Sequence, residues 1–145
     1  MPSFLSDTLV TQELYEKWLR RKAQRHVRRD RQRGNKTAIG EKYRTAIHDA
    51  VINCGGFDAY SGEKLDWSLI SQYDNDESKD KRREYKKRFA LLPTVDHIGD
   101  GTGSADFKIC SWQTNDAKND LSLDEFLSVC RVILEWHGYT VKKNR

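Results

Sequence analysis

The 25 residues from Thr94 to Lys118, TVDHIGDGTGSADFKICSWQTNDAK, limit the folds open to this chain more than any other stretch. Thr94 to Ile98 is rich in β-branched residues and reads as a strand. Gly99, Gly101 and Gly103 interrupt it with a turn-rich loop. Phe107 to Trp112 reads as a second strand, and Asn115 to Asn119 as a short helical turn with Asn115 at its start. The order strand, loop, strand, helix implies an α+β fold with this core in the C-terminal half. Helices from the N-terminal half are expected to pack against it.

At 145 residues one domain is the default. Residues 1–55 form its basic helical arm, and 56–145 supply a hairpin, the core and a last helix. A hydrophobic content of 37% against 33% charged supports only a thin core. There is no run of about 18 apolar residues, so no membrane span is expected. MPSFLSDTLV has neither the charged n-region nor the long apolar stretch of a secretion signal. Cys54, Cys110 and Cys130 are odd in number and form no C-x-x-C pair. That argues against a disulfide scaffold or a zinc ribbon, fits a reducing cytoplasm, and leaves the cysteines as small core residues.

Charge is strongly segregated. Between Lys17 and Arg44, twelve Lys and Arg stand against Asp30 and Glu41, a formal +10, while all other residues together carry a formal −6. A cationic arm on an acidic remainder points to a polyanionic partner. Thr11 to about Arg33 reads as the helix that carries it, with Leu14, Tyr15, Trp18 and Leu19 on an apolar face that Ala23 and Val27 continue. Arg20, Arg21, Lys22, Arg25, Arg28, Arg29, Arg31 and Arg33 are its candidate DNA-binding residues. Glu41 to Asn53 reads as a second helix stopped by Gly55-Gly56, and FDAYSGEKLDW as a hairpin around Ser61-Gly62. Asp74 to Arg88, nearly balanced in sign, fits either an exposed helix or a loop. Ser122 with Glu125 forms a capping box for a last helix. Its expected buried stripe is Leu123, Phe126, Leu127, Cys130, Ile133 and Leu134. His26 and His48 fall on or beside polar helix faces and are expected in solvent. His137 continues the last stripe as a packing or helix-dipole residue.

The 94–118 segment also carries chemistry. Phosphodiester hydrolysis needs a base for water, charge on the pentacovalent phosphate, and neutralisation of the leaving 3′-oxygen. Asp96 and His97 are strand neighbours, so their side chains leave opposite faces. Asp96 and the neutral Asn115 are oxygen donors suited to a hard divalent cation that keeps several waters, and His97 is the candidate base.

The same segment resembles the HNH, or ββα-metal, nuclease superfamily. The Asp-His of that pattern corresponds to Asp96-His97, its closing Asn to Asn115, and a Lys three residues later to Lys118. Nine residues before Asn115 the family carries an Asn where this chain has Asp106, and two cysteine positions of a common zinc frame are Ser111 and Thr114. The upstream CGGFDAYSGEKLDW looks like the hairpin that precedes the core in some bacterial HNH proteins. The resemblance implies a ββα core with Asp96 and Asn115 holding one divalent metal, Mg²⁺ or alternatively Mn²⁺ or another divalent ion. It makes His97 the general base, Asp106 the loop brace that orients it, and Lys118 a further catalytic residue. The expected function is DNA endonuclease; a double-strand cut would need a homodimer or two sequential nicks. The rival readings are a catalytically inactive DNA-binding module, which the departure at Asp106 permits, and an RNA-cleaving nuclease.

Overall fold

A computed structural model describes residues 1–72 and 80–144 of the chain. Two compact units are distinguished, Met1–Asn115 and Asp116–Arg145. Among the described residues the fold is mixed α and β, with five α-helices and one two-stranded antiparallel sheet. No described helix is long and apolar enough to cross a membrane.

In the first unit, α1 spans Gln12–Gln32 and starts where the Thr11 hydroxyl accepts the Leu14 N–H, a cap contributing about 1 kcal/mol. Its buried residues, Tyr15, Trp18, Ala23, His26, Val27 and Asp30, follow the three-to-four spacing of one helix face. That face is aromatic at its N-terminal end, where Trp18 stacks on Tyr15 and meets Trp67 edge-on at 5.5 Å. It becomes polar at the other end. The basic helix is therefore not a detached arm, because its apolar side is part of the core. Helix α2 (Gly40–Cys54) buries Tyr43, Ile47, Ala50 and Val51 and ends on Gly55 in the left-handed region at φ 59°. It packs against α1 and the sheet. A 3-10 turn at Trp67–Ser71 adds Trp67, Leu69 and Ile70 to the core. Of the charged run expected at Asp74–Arg88, residues 74–79 lie outside the described residues. Arg83–Arg88 forms the short helix α3, held through buried Tyr85.

Strands β1 (Pro93–His97) and β2 (Phe107–Ser111) pair with Thr94 opposite Cys110 and Asp96 opposite Lys108. Directly opposed residues share a face, so Thr94 and Asp96 lie on one side and Val95 and His97 on the other. The 57–64 hairpin, bridged Phe57 to Lys64, lies alongside, with the Ala59 N–H donating to the Ile109 carbonyl at 2.9 Å. Helix α4 (Trp112–Lys118) follows β2 without a break and carries the chain across the unit boundary. Asn115, expected at the helix start, is its fourth residue. The start falls earlier because Ser111 Oγ accepts the Thr114 N–H at 3.0 Å and caps the turn.

The second unit contains α5 (Leu123–Trp136), capped as expected by Ser122 accepting the Glu125 N–H. The expected burial of its apolar stripe does not hold. No residue of α5 is buried, and Leu123, Leu127, Ile133 and Leu134 are exposed. Helical period reports that a face is apolar, not that a partner covers it. His137 is exposed at the C-cap. Among the cysteines only Cys110 is fully buried; Cys54 and Cys130 are partly so.

Candidate active site

Two backbone hydrogen bonds set the position of Asn115. The Trp112 N–H donates to the Leu92 carbonyl at 2.9 Å and the Gln113 N–H to the Ala90 carbonyl at 3.1 Å, docking the head of α4 beside the entry to β1. A cavity of about 430 Å³ opens there. Helix α1 lines it with Trp18, Arg21, Lys22 and Arg25, and the 3-10 turn with Ile70. Leu92, Pro93 and Thr94 come from β1 and its approach, and Trp112 and Asn115 from α4. Burial, with Arg25 and Arg21 adding repulsion, brings the Lys22 ammonium down to about 8. Burial and Arg25 also lower Arg21. Three cations crowded around one concavity make its potential positive. Arg20, Arg28, Arg29, Arg31 and Arg33 are exposed outside it, and Arg31 also donates from Nε to the Ala38 carbonyl at 2.9 Å.

Asp96 lies two residues beyond Thr94 on the same sheet face but does not line the cavity. It is buried, and the Tyr60 hydroxyl donates to its Oδ2 at 2.5 Å. Burial and then Asp96 push the Tyr60 phenol well above its ordinary value, so Tyr60 stays a donor. Among the described residues no three His, Cys, Asp or Glu side chains gather as a metal cage. Asp96 and Asn115 are oxygen donors of the kind a hard cation takes, but only Asn115 lines the cavity.

His97 is not presented to solvent, contrary to the expectation that it faces the site. Its side chain is 4% exposed, on the opposite sheet face from Asp96, with Nε2 3.0 Å from Asp30 Oδ2. Neither ring nitrogen makes a hydrogen bond of good geometry. Phe107 meets the ring edge-on at 4.7 Å and His26 stacks on it at 6.0 Å. Tyr43 donates its hydroxyl to Asp30, and burial followed by that bond brings the phenol up to about 12. The Gly-rich loop closes this nest. Asn35 Nδ2 donates to the Gly101 carbonyl at 2.7 Å, and Gly101, at φ 86°, sits so close that an added Cβ would stand 2.5 Å from Asp30 Oδ1. The carboxylate beside His97 is thus Asp30. The Asp106 side chain, expected to orient His97, is exposed, and only its backbone carbonyl braces the loop, accepting the Ile98 N–H at 2.8 Å. Lys118 is buried at the end of α4.

His26 is likewise buried rather than solvated, on the inward face of α1, and burial first, then Arg29, brings its imidazolium down to about 3. His48 is partly buried, its Nδ1 2.7 Å from the Tyr15 hydroxyl. Two further carboxylates, Asp30 and Asp58, are not among the expected site residues. Asp58 Oδ2 accepts the Ser111 N–H at 3.0 Å, and Oδ1 accepts those of Tyr60 and Ser61. Ser111 and Thr114, at the positions of two zinc-frame cysteines, bond to each other at 2.9 Å. Burial raises the Asp58 carboxyl, but hydrogen bonds from Ser111, Tyr60, Thr114 and Ser61 outweigh it and hold the group below its usual value. A lone acidic residue at helical spacing inside a basic helix is the signal that marks Asp30; Asp58 has only the turn context of Asp-Ala-Tyr-Ser. Comparison of the chain with family models, curated proteins and solved structures returned no match.

Proposed function

We propose that this chain is a metal-dependent endonuclease of the HNH kind that hydrolyses DNA phosphodiester bonds. The observation that carries the reading is the cavity itself: Asn115 of the strand-loop-strand-helix segment shares it with Arg21, Lys22 and Arg25 of the basic helix. One residue proposed for metal binding, Asn115, thus meets the residues proposed for phosphate binding, although about 90 positions separate them in the chain. Arg21, Lys22 and Arg25 grip the substrate backbone. Asp96 and Asn115 would hold a divalent cation, Mg²⁺ or Mn²⁺, which would supply positive charge to the phosphate and the leaving 3′-oxygen. His97 takes the proton of the attacking water, Asp106 braces the loop through its carbonyl, and Lys118 adds positive charge at the end of α4. His97 meets water only with the Gly99–Gly103 turn parted from Asp30 and Asn35, which close over it here.

Plasmid nicking tests this. Supercoiled DNA should be nicked with Mg²⁺ or Mn²⁺ and left intact in EDTA. Asp96→Ala, Asn115→Ala and His97→Gln should each slow nicking, His97→Gln by about 10²- to 10⁴-fold, with circular dichroism confirming the fold. Full activity in EDTA, or none in any divalent metal, removes the reading. The burial of His97 favours a second one, a DNA-binding module without the reaction. It predicts undiminished DNA affinity with no cleavage under every metal condition.

A further inference from the structure

The cavity is not shaped for phosphate alone. Arg21, Lys22 and Arg25 form its charged side; of its apolar residues Trp18, Ile70, Leu92 and Pro93 are buried, and Trp112, partly buried, is the indole with surface to offer. A bare anion has no use for an indole, and an apolar ligand has none for three cations. The phosphates of an intact duplex stand on a convex ridge with the bases stacked inside it, so no base could enter a concavity of about 430 Å³. A planar apolar group carrying a negative charge matches both, and in nucleic acid that is a nucleotide released from pairing.

We propose that the cavity takes one unpaired nucleotide of the substrate strand, its base against Trp112 and its phosphate on Arg21, Lys22 and Arg25. The proposal rests on the reading that the chain acts on nucleic acid, and it names the substrate class as strands with an unpaired or extruded nucleotide. The indole is already in place. Trp112 is partly buried, edge-on to Tyr85 at 6.3 Å, and its backbone N–H donates to the Leu92 carbonyl. Little ordering is left for the ligand to drive, which favours affinity. Stacking on an indole accepts any base, so the site selects unpaired structure rather than sequence.

The test is binding in EDTA by fluorescence anisotropy with four probes: a single strand, its paired duplex, the duplex with one unpaired nucleotide, and that duplex with the unpaired position abasic. The single strand and the unpaired-nucleotide duplex should bind about 5- to 150-fold more tightly than the paired duplex. Removing the base should abolish that advantage. Trp112→Ala should weaken binding of the base-containing probe by the same factor and leave the abasic one unchanged, while Trp112→Phe keeps most of the preference. Equal affinity for paired and unpaired probes overturns the proposal, as does an abasic probe bound as tightly as its parent, or a preference that Trp112→Ala leaves intact. The abasic comparison uses the unaltered protein, so it holds even if Trp112→Ala unfolds. Because no metal is present, failure of the hydrolysis reading leaves this result untouched, and failure here leaves the nicking assay untouched.

Discussion

His26 shows how one residue ties burial to pH. Its imidazole is buried on α1, beside Arg29, His97 and Lys22, and its affinity for a proton is reduced to about 3 in the fold, against about 6.5 in the unfolded chain. Between those values the unfolded chain binds the extra proton. Stability is therefore fully present above about pH 6.5 and declines as the pH falls, approaching roughly 1.4 kcal/mol per pH unit. Urea unfolding between about pH 7 and about pH 4 should show that slope, and His26→Leu should flatten it. Lys22 has the opposite consequence for binding. Its charge is present below about 8 and absent above it, so nucleic-acid affinity should drop between about pH 7 and about pH 9. The salt slope should fall by up to about 0.9 over the same range, the share of one phosphate. Lys22→Arg, which keeps its charge, should remove the pH effect. An unaltered salt slope in the parent at both pH values would exclude Lys22 from phosphate binding.

The element scale is governed by Asp58. One carboxylate on the 57–64 hairpin accepts backbone N–H groups of Ser111, Tyr60 and Ser61, and so joins that hairpin to the end of β2 and the cap of α4. Removing it leaves a buried Ser111 N–H without its partner, an effect in the range of about 1 to 3 kcal/mol for each such group. Asp58→Ala should therefore lower stability by about 3 kcal/mol, read by chemical denaturation. It should also loosen the seat of Asn115, raising the metal concentration needed for nicking. A variant as stable as the parent would show that the hairpin docks by its apolar side chains alone.

Across the whole molecule, charge and core are built from the same helix. α1 turns its aromatic and polar stripe inward and leaves most of its arginines in solvent. Neutralising Arg20, Arg21, Arg25, Arg28 and Arg29 together should thus spare the fold, since none of the five is buried. It should flatten the dependence of log affinity on log salt by about 0.9 for each phosphate that the helix no longer neutralises, alike on every sequence. A salt titration of the five-fold variant against the parent, both in EDTA, measures it. Identical slopes would move the DNA-binding surface elsewhere, with Lys86, Lys87 and Arg88 of α3 the next cationic cluster.

Local elements were legible from residue order because their causes are local. Thr11 and Ser122 cap, Gly55 stops, Tyr15 and Trp18 share a face, and the three glycines after Ile98 force the turn between β1 and β2; each acts within a few positions along the chain. The outward charge of α1 was legible for the same reason. Only the tertiary structure decided where those faces point. His97 lies against Asp30, far earlier in the chain, because the strand face that carries Val95 is the one the helices cover. Trp18 and Trp112 meet one cavity because α4 hydrogen-bonds to the approach of β1. The stripe of α5 is apolar yet exposed, because period records composition around a helix and not its burial.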